Sequence, residues 1–359
     1  MNRLEACDPA QLTVMQVPAS VRPWPGTGGA ATVVKSGNHQ PERGHGAVDK
    51  GDIPYGVLSA PPPAFHLVHR SPSWDNLAVD TPSRGDERFT VSGELPSGRG
   101  PAGPHDGYFH DWQFLTELVR ETGSFVGYQH FGVASYLPAQ FSVFELELHD
   151  PAAWRADDDR TSVTVDLRVR PSQVLDGAPH RLLLDCAVLL NARPCARVRA
   201  ALGFLVPMPV HTPDPAGPAV AVRPGDVGRV SAESVLLGTP MLSSHGRLVS
   251  PVLIPGELPG LGAPPGRPVP DLALVEVVRQ ASLLCARLSC GLRPRLSTTT
   301  SLAVRRRGSA VAGAPLHCTA VPGTLGVDAQ GHPCVPVTLT VHQGSRAVLE
   351  ATSEVYQAA

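Results

Sequence analysis

The order of apolar and polar positions divides the chain into two runs of the same kind. In the first, residues 89–95 alternate as a strand does, and 111–130 carry apolar residues at helical spacing. Strand-like runs follow at 137–148, 161–170, 180–190 and 195–206. The run at 161–170 alternates apolar and polar residues, which predicts a half-buried strand. In the second run, 247–254 predicts a strand and 271–290 a helix, with strands after it at 298–306, 314–321, 333–342 and 346–356. One long helix followed by antiparallel strands, twice over, predicts an α+β fold. Each helix is apolar nearly all round, as a helix wrapped by a sheet should be.

Proline and glycine mark the joints between these runs. Residues 1–60 are Pro/Gly-rich with little periodicity and predict a poorly ordered or loosely attached segment. A first folded unit is expected over 61–208 and a second over 227–359, joined by a Pro-rich linker at 209–226. A third Pro/Gly cluster, 255–270, lies just ahead of the second helix.

The two helices also share a phrase. Residues 115–121 read Leu-Thr-Glu-Leu-Val-Arg-Glu and 274–280 read Leu-Val-Glu-Val-Val-Arg-Gln, so that Glu117 and Glu276, and Arg120 and Arg279, are each 159 residues apart. Each phrase sets a Glu and an Arg one turn apart on one helix face. An apolar helix has little reason to carry that pair unless it faces a site or a subunit contact. The same offset relates Gly132-Val133 to Gly291-Leu292 and Arg70 to Arg229. A period this long points to a duplicated domain rather than a solenoid.

Composition narrows the chemistry. At 359 residues the chain has room for two domains, and its formal net charge of −2 gives no basic face for nucleic acid. No apolar run approaches the roughly 18 to 20 residues needed to span a bilayer, and the N-terminus lacks an export pattern, so a cytoplasmic location is expected. The seven cysteines form no disulfide framework and no metal-ligand spacing. Nucleophile-elbow, phosphate-loop and zinc-helix motifs are missing, and neither a metal nor another cofactor is expected. Asp157 to Asp159 read as a solvated turn, and Arg305 to Arg307 as a strand end or a docking point for an acidic carrier protein.

Taken in order, several phrases resemble the AfsA-type hotdog family, the A-factor (γ-butyrolactone signal) synthases of filamentous soil bacteria. They are Leu67-Val68-His69-Arg70, Phe109-His110-Asp111 leading to Glu117 and Arg120, Phe131-Gly132-Val133, and Val275-Glu276 leading to Arg279-Gln280-Ala281. The resemblance covers roughly residues 65–356. It implies a double hotdog, in which each long helix is wrapped by a curved antiparallel sheet. It further implies transfer of a β-ketoacyl group from an acyl carrier protein or coenzyme A thioester to a hydroxyl of dihydroxyacetone phosphate. A homodimer is left open.

That reaction needs a general base, donors for the developing oxyanion and a cationic anchor for phosphate. Glu276, its pKa moved towards neutrality by burial, suits the base, and Arg279 the anchor; Glu117 and Arg120 are the duplicate set. His69, Arg70, His110 and Gln280 are candidate substrate contacts. The plainer readings are an intrahelical ion pair for each Glu and Arg, loop-edge residues for His69, Arg70 and His110, and a helix cap for Asp111. Two departures from the family bear on activity. Asp75 stands where the family has Glu, and residues 266–272 replace an Asp-His-Val-Pro-Gly-Met type phrase ahead of the second helix. Alternative readings are another hotdog enzyme, a thioesterase or dehydratase, and a non-catalytic acyl-binding or scaffold protein with degenerate sites.

Overall fold

The computed structural model describes residues 87–96, 108–156, 160–175, 177–204 and 219–359 except 245, 257 and 259, with the backbone of short strands at 32–33, 66–70, 99–100 and 103–104. The expectations placed on residues 1–60, Asp75, Asp157 to Asp159 and the 209–218 part of the linker lie outside the described residues, two-residue strand aside. So do the side chains of His69 and Arg70.

The strands are β1 (Thr32–Val33), β2 (His66–Arg70), β3 (Glu87–Pro96), β4 (Arg99–Gly100), β5 (Gly103–Pro104), β6 (Ala139–Leu148), β7 (Arg160–Leu175), β8 (Ala178–Leu190) and β9 (Arg193–Phe204). After them come β10 (Met241–Leu242), β11 (Leu248–Pro251), β12 (Ser297–Arg306), β13 (Leu316–Pro322), β14 (Gly326–Val327), β15 (Pro333–Gln343) and β16 (Arg346–Gln357). Two helices interrupt this series, α1 (Gln113–His130) and α2 (Asp271–Cys290).

Apart from the β4–β5 pair, all the described strands belong to one sheet. Its middle is the antiparallel pairing of β6 with β12, running from Ser301 opposite Glu147 to Arg305 opposite Val143. Outward from that seam the order is β6-β9-β8-β7-β3-β2 on one side and β12-β16-β15-β13-β11-β10 on the other. The two sides have the same plan. In each, the helix leads into the strand at the seam, and three further strands start far out and return inward.

Alternation explains which strand residues meet the helices. Val163, Val165, Leu167 and Val169 of β7 are buried, as are Val335, Val337, Leu339 and Val341 of β15, with their neighbours more exposed. α1 packs on β6, β8 and β9, while α2 packs on β12, β13, β15 and β16. Every residue of α2 from Asp271 to Ala286 is buried, and α1 keeps an exposed side at Glu121, Gln129 and His130. The all-round apolar character expected of both helices therefore belongs to α2 more than to α1.

Both helices end in the same way. Gly132 and Gly291 stand at φ 69° and 75°, a left-handed conformation that lets the backbone N–H of Val133 reach the Gly127 carbonyl and that of Leu292 the Ala286 carbonyl. The seam strands also share an irregularity. Register shifts fall between Phe141 and Val143 of β6 and between Thr299 and Ser301 of β12. The second shift breaks alternation, so that Ser297, Thr298, Thr299 and Thr300 are all buried. A run of small hydroxyl residues is thereby turned inward beside α2.

α1 approaches its sheet at glycine. A Cβ on Gly127 would lie 2.6 Å from Cζ of Phe204, so the close contact of α1 with β9 depends on its absence. Gly127→Ala should lower stability by about 1–3 kcal/mol, read from the urea midpoint. Adding Phe204→Leu should return part of the loss; an unchanged midpoint in the single variant would show that α1 sits elsewhere.

Candidate functional site

The second Glu-Arg phrase lies in the interior. Glu276 is completely buried and Arg279 is 7% exposed. Nε and Nη2 of Arg279 donate to the two oxygens of Glu276 at 2.8 and 2.7 Å, which is a forked intrahelical pair. Arg279 Nη2 also donates to the Val227 carbonyl at 3.0 Å. Gln280, one residue on, donates from Nε2 to Glu276 Oε1 and to the Ser234 carbonyl, and its own Oε1 accepts from the Leu236 N–H. The helix thus anchors the 219–238 segment across it.

Two further partners come from far along the chain. Arg229 donates from Nε to Glu276 Oε1 at 2.8 Å, and from Nη1 to Asp111 Oδ2 at 2.5 Å. Asp111 Oδ1 accepts from the Gln113 N–H at the start of α1, and Gln113 Nε2 donates to Glu276 Oε2 at 2.9 Å. Asp111 therefore does more than the helix-capping role read for it. It joins the approach to α1, in the first half, to a carboxylate of α2 in the second. His110 lies beside it, with Nε2 3.1 Å from Thr161 Oγ1, while its carbonyl accepts from the Trp154 indole.

The electrostatics follow from this crowd of donors. Burial pushes the Glu276 carboxyl up, but Arg229 and then Arg279 outweigh it and hold the group below its ordinary value. The upward shift expected of a buried general base is thus reversed. Burial works against the charge of Arg229 as well, and Asp111 and Glu276 overcome it, so the guanidinium is held more firmly charged than usual. Asp271, at the start of α2, goes the other way. Burial raises its carboxyl in spite of Arg306, the Phe141 N–H and the more distant Arg120.

The first Glu-Arg phrase is arranged differently. Glu117 and Arg120 also form a forked pair, at 3.0 and 2.9 Å, with Arg120 touching Glu121 as well. Their side chains are 30% and 27% exposed, and their hydrogen bonds stay within α1. Burial opposes the charge of Arg120, but Glu117, Glu121 and Asp271 raise its pKa overall. Among the described residues, no hydrogen bond from the other half of the chain closes over this pair as Arg229 and Asp111 close over Glu276.

A cavity of about 30 Å³ adjoins the buried network, room for one or two water-sized groups. His110, Asp111, Trp112, Arg229, Arg279 and Thr299 are among its walls. Trp112 Nε1 and Thr299 Oγ1 are buried without a hydrogen-bond partner among the described residues. Arg229 Nη2 lies 2.8 Å from Glu276 Oε1, within ion-pair range but out of line for a hydrogen bond. Each such orphan costs about 1–3 kcal/mol unless a ligand or water completes it. No group of three or more His, Cys, Asp or Glu gathers as a metal set among the described residues.

Of the residues singled out from the sequence, Glu276, Arg279, Gln280 and His110 come together here, and Glu117 with Arg120 form the separate pair. Arg229, Asp111, Gln113, Trp112 and Thr299 were not counted as site residues. The 159-residue register does relate Arg229 to Arg70, a signal that could have placed it on the list. No spacing pointed to Trp112 or Thr299.

No family model matches the chain, and no curated protein matches it. Solved structures do align with it over most of their length. The 12:0-ACP thioesterase of Umbellularia californica aligns at 12% identity over 76% of this chain and 94% of its own, with a TM-score of 0.47. A conserved protein of unknown function with a hot dog fold from Alicyclobacillus acidocaldarius aligns at 13% identity over 80% and 96%, TM-score 0.38. The bifunctional dehydratase-cyclase domain of ambruticin biosynthesis aligns at 18% identity over 80% and 96%, TM-score 0.39.

The network makes stability depend on pH in a definite direction. The folded-state pKa of Glu276 is lowered, so its contribution is present above the ordinary glutamate range and lost as pH falls through the lowered value. Asp271, raised when folded, opposes this, because its contribution is lost as pH rises through the raised value. Glu276→Gln should cost about 3–5 kcal/mol at neutral pH, since two buried guanidiniums lose their shared partner. In thermal melts from neutral to acid, the gap between the two proteins should close. Equal melting temperatures at neutral pH would mean that the network carries no such load.

Proposed function

We propose that the chain is a double-hotdog protein acting on acyl thioesters, with its working site at the junction of the two halves around Glu276. The observation that carries this reading is the convergence of His110 and Asp111 from the approach to α1 with Arg229 and Arg279 around one donor-lined cavity. The matching strand order on the two sides of the β6–β12 seam supports the duplicated fold. The proposed domains are 61–208 and 227–359. The reaction we favour is transfer of a β-ketoacyl group from a carrier or coenzyme A thioester to the hydroxyl of dihydroxyacetone phosphate, giving a γ-butyrolactone-type signal precursor.

In this reading Glu276 is a positioning residue. A carboxylate that accepts from Arg229, Arg279, Gln113 and Gln280 is a weak base, and its work is to hold both guanidiniums at the cavity. The proton of the acceptor hydroxyl passes to His110, since imidazole is the side chain whose ordinary titration range spans neutral pH. The hydroxyl oxygen then bonds to the thioester carbonyl carbon, the C–S bond breaks, and the thiolate leaves with the proton from the imidazolium. Glu117 and Arg120 hold the α1 copy of the phrase in a structural part.

A second reading, a non-catalytic scaffold protein with a degenerate site, is favoured by the cavity's size. About 30 Å³ is far below the roughly 300 Å³ of a small ligand pocket, so the junction has to open to admit an acyl chain.

The purified full chain, given a β-ketoacyl carrier thioester with dihydroxyacetone phosphate, should form the ester, and should form little free acid when the acceptor is left out. His110→Gln should lower kcat by about 10²- to 10⁴-fold with a smaller change in KM, and should remove the acid limb of the pH–rate profile. Glu276→Gln should raise KM and leave that limb in place. Release of free acid regardless of acceptor would identify a thioesterase instead. Absence of both binding and turnover of the thioester would favour the scaffold protein.

A further inference from the structure

A thioester attacked by a hydroxyl develops negative charge on its carbonyl oxygen, and that charge needs donors fixed in advance. The first turn of a helix can supply them from its backbone. At this cavity the start of α1 is closed to that use. The Gln113 N–H donates to Asp111 Oδ1 and the Phe114 N–H to the Asp111 carbonyl, while the N–H groups of Leu115 and Thr116 both donate to the Trp112 carbonyl. All four leading N–H groups of α1 are therefore engaged.

Side chains offer what the backbone withholds. Trp112 and Thr299, 1% and 0% exposed, bring the two halves of the chain together in the cavity wall. The indole Nε1 and the hydroxyl Oγ1 have no hydrogen-bond partner among the described residues. An indole N–H only donates, and a threonine hydroxyl can turn to donate. Both are neutral. The two arginines of the wall, Arg229 and Arg279, are matched by Asp111 and Glu276, two guanidiniums against two carboxylates. A group that arrives charged, such as phosphate, would lose its hydration and meet no uncompensated positive charge. An oxygen that enters neutral and gains charge only during reaction suits this set.

The base proposed for the reaction points to one oxygen. His110 belongs to the same cavity of about 30 Å³, room for one or two water-sized groups. A carbonyl oxygen seated at Trp112 and Thr299 thus brings its own carbon beside the hydroxyl that His110 deprotonates. Were a carbonyl further along the acyl chain seated there instead, the reacting carbon would lie outside.

We propose that Trp112 Nε1 and Thr299 Oγ1 form the oxyanion hole for the thioester carbonyl, in place of a helix N-terminus. The proposal rests on the acyl-thioester reading of the site. As the acceptor oxygen bonds to the carbonyl carbon, the π pair moves onto the carbonyl oxygen and both donors hold it there. When that pair re-forms the double bond, the C–S bond breaks and the thiolate takes the proton held by His110. Both residues are then catalytic. A buried hydroxyl without a partner lowers stability, so the fold alone gives no reason for one at Thr299.

The test uses the full chain and butyryl-coenzyme A isotope-labelled at the thioester carbonyl carbon, an acyl group with no second oxygen. Infrared difference spectra should place the labelled C=O stretch at lower frequency when bound than in solution. Thr299→Val and Trp112→Phe should each return part of that shift. With a β-ketoacyl thioester and dihydroxyacetone phosphate, each substitution should lower kcat about 10²-fold with little change in KM. Thr299→Ser, which keeps the hydroxyl, should restore most of the rate. Thr299→Val should melt no lower than the unsubstituted chain, a separation of activity from stability that a packing role would not give. If Trp112→Phe fails to fold, the two Thr299 variants decide. Unchanged turnover in Thr299→Val, or a bound carbonyl stretch that no substitution moves, would overturn the proposal and leave the acyl-thioester reading standing. A chain that neither binds nor consumes the thioester overturns that reading and the proposal together. A shifted carbonyl without ester formation supports the two donors and counts only against the transfer reaction.

Discussion

A carboxylate placed in the middle of an apolar helix with no access to water must be surrounded by donors, and in this protein that requirement falls on Glu276. α2 alone supplies Arg279 and Gln280. The remaining donors, Arg229 and Gln113, have to be delivered from 47 and 163 residues away. The consequence is architectural, because the segment around residue 229 and the start of α1 are drawn to one point on α2. Burying such a network is no guarantee of extra stability over an apolar core, since desolvation takes back much of the Coulombic gain. What it favours is specificity: a displaced Arg229 takes one guanidinium away from both Asp111 and Glu276, and leaves Glu276 with Arg279 as its cation.

The sheet makes that delivery possible. With β6 and β12 paired at the seam, the two helices touch and the approach to α1 lies over α2. The same strand order on both sides means that each half could in principle offer the same contact to the other. It does so once only among the described residues. At Glu276 the opposite half contributes Asp111 and Gln113, whereas Asp271, at the head of α2, is committed to Arg306 and the Phe141 N–H. Arg120 feels Asp271 only at a distance, and the Glu117 pair remains part-exposed.

Much of this was legible in the residues themselves. The expected helices over 111–130 and 271–290 correspond to Gln113–His130 and Asp271–Cys290, and the expected strands to β3, β6 to β9, β11 to β13, β15 and β16. Periodicity reports burial by one neighbouring layer, and here each element meets such a layer. The glycine ends at 132 and 291 were legible for the same local reason. Partnership between distant charges was not. Asp111 reads as a helix cap because capping is a local property, and its bond to Arg229 exists only once the seam has formed. The pKa of Glu276 failed in direction for a related reason. Desolvation can be inferred from an apolar helix, but the two guanidiniums that outweigh it can be counted only in space. Thr299 escaped notice because the register shift in β12 turns inward a residue that strict alternation would leave undetermined.

The balance of charge around Glu276 has a further bearing on chemistry. A lone buried arginine exerts a net field and attracts anions, and a lone buried glutamate acquires a raised pKa and some basicity. Pairing the two removes both properties and leaves oriented N–H groups, fixed in direction and unable to reorganise. Such a set acts through dipoles on whatever oxygen enters, which is the condition under which hydrogen bonds in a water-poor site discriminate most sharply. In the proposed reaction the proton has to be taken from outside the ion-paired network, and His110, held at its edge by Thr161 and by the backbone at Trp154, is the side chain proposed for it. The proposed division of labour, between a rigid, charge-compensated donor set and a neighbouring imidazole, has its physical ground in the burial of a single glutamate.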